Sequence, residues 1–361
     1  MPDKEIISPR QLAILTFMMT VGPTILVAPA LMASIVRQDG WIATICAICL
    51  QLLSVLLYAA LGDRYPDHSI VEYIEIILGK WTGKAIALLY VLFCILTVGY
   101  IVRFFGDFMA VQVMPETPIF AVLVLFMVTV VVAVHLGLEV FARAAEVFFP
   151  YICALFVVLV VFSIPKADLS SLQPVLESGI KPMFLASINF FSLQETVILL
   201  ALYPRVNQVG KSRNAMIMGV LAGGVVLILT TLMVLLVLGA DMTARNIYPS
   251  YRLAQMISIG KFLQRVEAIL AIIWFMTIFF KVVICFYAAV TGLSKTIGLR
   301  EYKPFALPLG VISVILAMVV YDNSVKEADL IQNIWPGYAL TFLLVVPLIL
   351  LAVDFMRKKA K

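Results

Sequence analysis

Apolar residues run in stretches of about 20 along the whole chain and are separated by short polar segments, and about 20 residues is what a helix needs to cross the hydrocarbon of a bilayer. The runs predict ten spanning helices, at approximately 11–36, 41–62, 84–113, 118–137, 144–164, 182–204, 213–240, 262–294, 304–321 and 334–356. Two shorter stretches differ. Residues 69–79 and 245–258 carry a helical apolar period with polar positions between, which predicts amphipathic helices lying at the membrane surface.

Composition agrees: hydrophobic residues make up 63% of the chain and charged residues 13%, an excess that a buried core alone does not require. Residues 1–5 are short, polar and run directly into a full-length span with no small-residue cleavage site, so no cleaved signal peptide is expected. The net charge of +5 matters through its distribution. With the N-terminus placed in the cytoplasm, the inner loops and ends hold 16 Lys and Arg, among them Arg64, Arg143, Arg205 and Lys295, against 8 outside, among them Arg37, Lys166, Arg245 and Lys326. Both termini then lie inside, which fits an even number of spans. Trp41, Trp81, Trp274, Trp335 and most Phe are expected to face lipid or the interface.

The five cysteines all fall inside apolar runs, and His68 and His135 stand far apart, so neither a disulfide framework nor a metal site is expected. No phosphate-binding loop, nucleophile elbow, zinc-protease motif or dinucleotide fingerprint is present. No enzyme chemistry and no cofactor are expected.

The chain divides into five spans and five spans, approximately 11–164 and 182–356, within a single transmembrane domain. The first span of each half is interrupted at mid-depth, by Thr20-Val21-Gly22-Pro23-Thr24 and by Phe191-Ser192-Leu193-Gln194-Glu195-Thr196. Interrupted helices in equivalent positions are the pointer to a binding site in inverted-repeat transporters. Gly22 and Pro23 free carbonyls and open a helix N-terminus suited to a carboxylate; the alternative is a kink that only shapes packing. Glu195 lies near the midplane, where an ionised carboxylate costs at least ~2.5 kcal/mol unless paired or hydrated. It would accept a proton, organise the break or meet a cation, or stay protonated and bond to the first span. Lys281 is central in the eighth run. It would hold a ligand carboxylate, stand in for a coupling cation, or form a structural ion pair, for instance with Glu195.

Arg103 and Asp107 share a helix face nearer the outer end of the third span. An intrahelical pair lining a vestibule is favoured over ligand contact, with Tyr100 one turn deeper as a wall of the pocket. Glu139, Arg143 and Glu146 share a face at the inner connection between spans four and five, as a surface charge network or, in the sharper reading, a gate.

These features in this order resemble the spore germination permease family, the B subunit of endospore germinant receptors, within the amino acid–polyamine–organocation transporter superfamily. The resemblance rests on Val21-Gly22-Pro23-Thr24-Ile25-Leu26 with Pro29, Leu78-Gly79-Lys80-Trp81-Thr82-Gly83, Arg103 with Asp107, Phe149-Pro150-Tyr151, Glu195, and Gly292 to Leu299. It implies an all-α, five-plus-five inverted repeat of the LeuT-like kind with broken helices one and six. It implies a multi-pass protein of the spore inner membrane, partnered by an A subunit and a lipoprotein C subunit. It also implies a small nutrient, commonly an amino acid, bound between spans one, three, six and eight, with Gly22 and Lys281 at the family's pocket positions; together with the two breaks, the candidate ligand-binding residues are Gly22, Pro23, Thr24, Tyr100, Glu195, Thr196 and Lys281. A proton-coupled amino acid transporter and a channel are the other readings of the same plan.

Overall fold

Helix formation along the chain follows the apolar runs, and each interruption has a residue that causes it. In the computed structural model, which describes residues 5–257, 266–321 and 324–359, the first run is two helices, α1 (Pro9–Val21) and α2 (Thr24–Val36), separated at Gly22-Pro23. Ser8 opens α1 with a capping box, its hydroxyl accepting from the Gln11 N–H while the Gln11 side chain accepts from the Ser8 N–H. The chain reverses at Arg37–Asp39 into α3 (Gly40–Gly62). There follow α4 (Ile70–Leu78), α5 (Lys80–Phe108), α6 (Ile119–Leu136), α7 (Leu138–Ser163) and α8 (Ile180–Ser192). The second part of the sixth run is a series of 3₁₀ turns from Thr196 to Arg205. Then come α9 (Ser212–Arg245), α10 (Pro249–Met256), α11 (Glu267–Thr296) and α12 (Lys303–Val319). A short polar helix, α13 (Ser324–Asp329), precedes the tenth run, which combines α14 (Trp335–Leu340) and α15 (Val346–Lys359), with π turns at Leu330–Ile334 and Thr341–Val345. The first π turn leads into Trp335-Pro336, where the missing proline N–H interrupts the regular ladder.

Among the described residues, eight helical runs are long and apolar enough to cross a membrane. The expected ten crossings are recovered once Thr24–Gly62 is divided at its reversal, α1 and α2 are counted as one broken span, and the shorter α12 is included. The protein is therefore an all-helical, multi-pass membrane protein. The fifth span begins six residues before its expected start, because Glu139, Arg143 and Glu146 are the polar first turns of α7 itself. Residue 258 and residues 262–265, expected in the second surface helix and the eighth span, lie outside the described residues.

α1 packs closely against α9 because that helix presents small residues: a Cβ on Gly219 would run into the Ala13 carbonyl oxygen, and one on Gly223 would lie 2.8 Å from Thr20. α11 runs through the centre against α1 and α5, with Lys281 among its buried residues. The placement of aromatics corrects the sequence expectation. Trp81 is 85% exposed, but Trp274 and Trp335 are buried, as are Phe93, Phe104, Phe105 and Phe108. They stack on one another inside the bundle, Phe105 on Trp274 at 5.5 Å and Phe93 on Phe342 at 4.7 Å. An aromatic in an apolar span serves protein packing as well as it serves lipid, and hydropathy does not separate the two.

At the face where α1 begins, the chain is sealed. Ile7 pairs with Val206 as a parallel bridge, and Tyr287 and Tyr302 donate to the two carboxylate oxygens of Glu5 at 2.9 and 2.6 Å. At the opposite face, the segment before α8 is clipped to the α2–α3 reversal: Asp39 accepts from the Leu176 and Ser178 N–H groups at 2.7 and 3.3 Å.

Candidate functional site

The two helix breaks meet α11 at one point. Gly22 ends α1 with φ 26° and ψ −135°, its N–H bonded to the Met18 carbonyl at 3.0 Å, and a residue without Cβ reaches that backbone state readily. Across from it, α8 ends at Ser192 and the chain turns through Leu193, Gln194 and Glu195 before the 3₁₀ segment. Lys281 lies between them. Its Nζ stands 2.7 Å from Glu195 Oε2 and donates to the Leu193 carbonyl at 3.0 Å, with the two side chains 1% and 4% exposed. An ammonium, a carboxylate and an unpaired break carbonyl therefore satisfy one another in an interior where either charge alone is costly. Gly22 forms the wall along which the lysine lies: a Cβ there would be 2.7 Å from Lys281 Cδ.

A second polar group, unread in the sequence, ties both breaks to α3. Gln51 donates to Thr20 Oγ1 at 3.1 Å and to Gln194 Oε1 at 3.3 Å, and Gln194 donates in turn to Thr24 Oγ1 at 3.3 Å. All four side chains are buried. The signal available was a glutamine at mid-depth in an apolar run, which needs partners for the same reason as a charge. Trp335 adds a bond from its indole N–H to the Ser192 carbonyl, 3.1 Å, joining the tenth span to the sixth-span break.

Between the breaks is a cavity of about 20 Å³, lined by Pro23, Thr24, Tyr100, Phe104, Glu195 and Lys281 among others. That is room for about one water, so the site is shut in this conformation. Tyr100 lines this cavity, stacked on Trp335 at 5.5 Å. Val27, Phe104, Leu193 and Ile331 line this cavity and also a second one of about 190 Å³ above it. The second shares Arg245, Asn246, Ile247 and Glu327 with a third of about 480 Å³ on the face away from residue 5.

The remaining expected residues fall into three places. Thr196 is directed away from the cavity; its hydroxyl lies 3.4 Å from the Gln194 carbonyl oxygen and close to Tyr58. Arg103 and Asp107 line the third cavity as an ion pair of 3.0 Å, and Tyr321 donates to Asp107 at 2.8 Å while its ring lies 4.9 Å under the guanidinium. Glu139 and Arg143 form an exposed pair of 3.6 Å at the sealed face, where Glu139 also accepts from the Ile6 N–H. Glu146 turns instead to Arg10 at 3.2 Å. Beside the third cavity, burial and the neighbouring Asp107 carboxylate push the Glu327 carboxyl up to about 7. Among the described residues, no group of three or more His, Cys, Asp or Glu could hold a metal ion.

Known proteins share this fold. The chain spans 99% of MhsT, whose structure is solved in complex with L-phenylalanine, with 97% of this chain covered, a TM-score of 0.66 and 14% identity. A Na⁺-coupled sialic acid symporter in a substrate-bound outward-open state gives the same TM-score, 0.66, at 10% identity over 94% of this chain and 80% of the symporter. These likenesses show the LeuT-like transporter fold. By sequence, the chain is 29% identical to spore germination protein KB of Bacillus subtilis over 99% of this chain and 97% of that protein. It is 25% identical to spore germination protein A2 of the same organism over 94% and 93% of the two chains. A family model described as spore germination protein matches residues 6–326, and the chain belongs to that family.

Proposed function

We propose that this protein is the germinant-sensing membrane subunit of a spore germinant receptor. It takes a small nutrient, an amino acid or a molecule like one, between the Gly22 break and the Lys281–Glu195 pair, and its change of shape triggers germination through partner subunits of the A and lipoprotein C kinds. The reading places both termini in the cytoplasm, the membrane as the spore inner membrane, and the halves near 11–164 and 182–356 as inverted repeats. The observation that carries it is the buried Lys281–Glu195 pair, 2.7 Å apart, at the meeting of both helix breaks.

The chemistry follows from the pair. Lys281 has one carboxylate partner and one carbonyl partner. A ligand carboxylate competes with Glu195 for the ammonium, and a ligand ammonium competes with Lys281 for Glu195. Either exchange loosens the link between α11 and the sixth-span break. The cavity of about 20 Å³ must widen to admit the ligand, so occupancy selects an open arrangement over the shut one. The ligand moves that balance only by its differential affinity for the two arrangements.

Spores lacking this gene, and the same spores with it restored, are to be screened for germination against a panel of amino acids and other small nutrients. A response to at least one nutrient that disappears and returns with the gene supports the reading. Unchanged responses across the panel sink it. The second reading, a proton-coupled amino acid transporter, is favoured by the carboxylate–ammonium pair itself, since either member can carry a proton. Gradient-driven uptake by the purified protein in liposomes would establish that reading in place of sensing.

A further inference from the structure

The cavity between the two breaks, about 20 Å³, is too small for an amino acid, while the space above it is not. The third cavity, about 480 Å³, is lined by Arg103, Asp107, Arg245, Tyr248, Arg252 and Glu327 among others. Its charges are not equivalent. Arg103 is consumed: it holds Asp107 and reaches the Ala317 and Met318 carbonyls at 3.3 and 3.4 Å. Asp107 is consumed by Arg103 and Tyr321. Arg252 is directed to Gln255 at 3.2 Å. Two charged side chains, Arg245 and Glu327, line both the third cavity and the second, and so flank the route inward. Among the described residues neither forms an ion pair, with the other or with anything else. Glu327 is 6% exposed, a carboxyl out of water with a tyrosine hydroxyl as its bonding partner. A buried carboxyl in that position calls for a proton or a cation, and Arg245 carries an unmatched positive charge on the other side of the same opening.

We propose that this vestibule is a separate docking site for small zwitterions, in which Glu327 receives the ammonium and Arg245 the carboxylate of an amino acid before it reaches the buried pair. The proposal rests on the reading of the protein as a sensor of small nutrients and adds a first site to it. The vestibule reads the part common to all amino acids. The narrow cavity below, walled by Tyr100, Phe104 and the buried pair, is left to discriminate among side chains. Because burial and Asp107 hold the Glu327 carboxyl up near 7, protons compete with the ligand ammonium. The groups facing Glu327 are Asp107 and Arg103 from α5, Tyr321 after α12, and Arg245 and Tyr248 across the cavity. Docking is therefore weaker below pH 7 than above it.

The test uses the full chain in lipid nanodiscs and saturation-transfer NMR, with glycine, N-acetylglycine and glycine amide as probes. Glycine carries both charges, N-acetylglycine lacks the ammonium and glycine amide lacks the carboxylate. The expected result is saturable transfer to glycine that weakens several-fold for each blocked probe and as the pH falls from 8 to 6. Glu327→Gln should remove the preference for a free ammonium, and Arg245→Gln the preference for a free carboxylate. Lys281→Met/Glu195→Gln, which dismantles the buried pair without stranding a charge, should retain glycine binding. Glycine binding that survives Glu327→Gln and Arg245→Gln with its preferences intact, but is lost in the Lys281→Met/Glu195→Gln variant, overturns the vestibule site and leaves the buried-pair site standing. Absence of saturable transfer to wild type overturns the vestibule site and, with a failed spore screen, the sensor reading as well.

Discussion

Replacing Lys281 with methionine removes the ammonium and keeps most of the side-chain volume. At 2.7 Å the attraction to Glu195 is roughly 6 kcal/mol at an effective dielectric of about 20, and much of that is offset by the cost of taking both groups from water. The offset disappears when only one group is removed. Glu195, 4% exposed in its side chain, and the Leu193 carbonyl are then left without their donor, and stranding one member of a buried pair costs about 3–5 kcal/mol. Glu195→Gln strands the ammonium instead and should cost a similar amount. The double variant Lys281→Met/Glu195→Gln strands no charge and should lose far less than the sum of the two. The assay is a double-mutant cycle on denaturant unfolding in bicelles, with the four proteins compared under one condition. The expected interaction energy is about 3 kcal/mol or more in favour of the pair. Additivity within about 0.5 kcal/mol would refute the claim that these side chains hold one another.

Gly22→Leu places a side chain into the 2.7 Å approach to Lys281 Cδ at a positive φ, so backbone strain of about 1–3 kcal/mol comes on top of a steric clash; spores should respond only at raised nutrient concentration or not at all, and an unchanged dose dependence contradicts this. Arg103→Ala frees Asp107 and unseats Tyr321, so amide deuterium exchange should rise in α13 and the π turn after it while α1 and α9 stay protected. At the sealed face, burial raises the Glu72 carboxyl, but the Lys295 ammonium and the Ser69 donors outweigh it and hold the group below its ordinary value. A lowered carboxyl stabilises the fold above its unfolded value and loses that contribution as pH falls through the folded one. The destabilisation caused by Lys295→Met should therefore be constant from pH 8 to 6 and shrink only in the acid range below about 4; a loss centred near neutrality would contradict the assignment.

The ten crossings were legible because each apolar run is long and each interruption has a cause in the sequence, Gly22-Pro23 being the clearest. Glu195 and Lys281 are legible as oddities of depth, and their pairing is one of the alternatives the sequence leaves open. What sequence could not supply was direction. Thr196 stands next to Glu195 but is turned towards Tyr58, since a 3₁₀ turn rotates successive side chains differently from an α-helix, and the wholly apolar Val197–Leu202 gives no period from which to read that. Gln51 escapes notice because an amide draws less attention than a charge, although it needs partners in hydrocarbon, and Gln194 is visible only as part of the break. Trp274 and Trp335 read as facing lipid or the interface because hydropathy scores apolar contact without saying with what. Glu327 lies in a short polar helix that reads as an ordinary connection, and the charges that act on it, Arg103 and Asp107, stand more than 200 positions away in the chain.

The central claim is that the buried pair senses the nutrient, and the Lys281→Met/Glu195→Gln variant separates that role from folding. Spores carrying it in place of the wild-type gene should contain the protein at normal abundance, measured by immunoblot of inner-membrane fractions. Their germination by this receptor's nutrient, followed as loss of optical density across a concentration series, should be lost or shifted at least tenfold to higher concentration. A wild-type dose response at normal abundance would contradict the account and remove Lys281 and Glu195 from the sensing site.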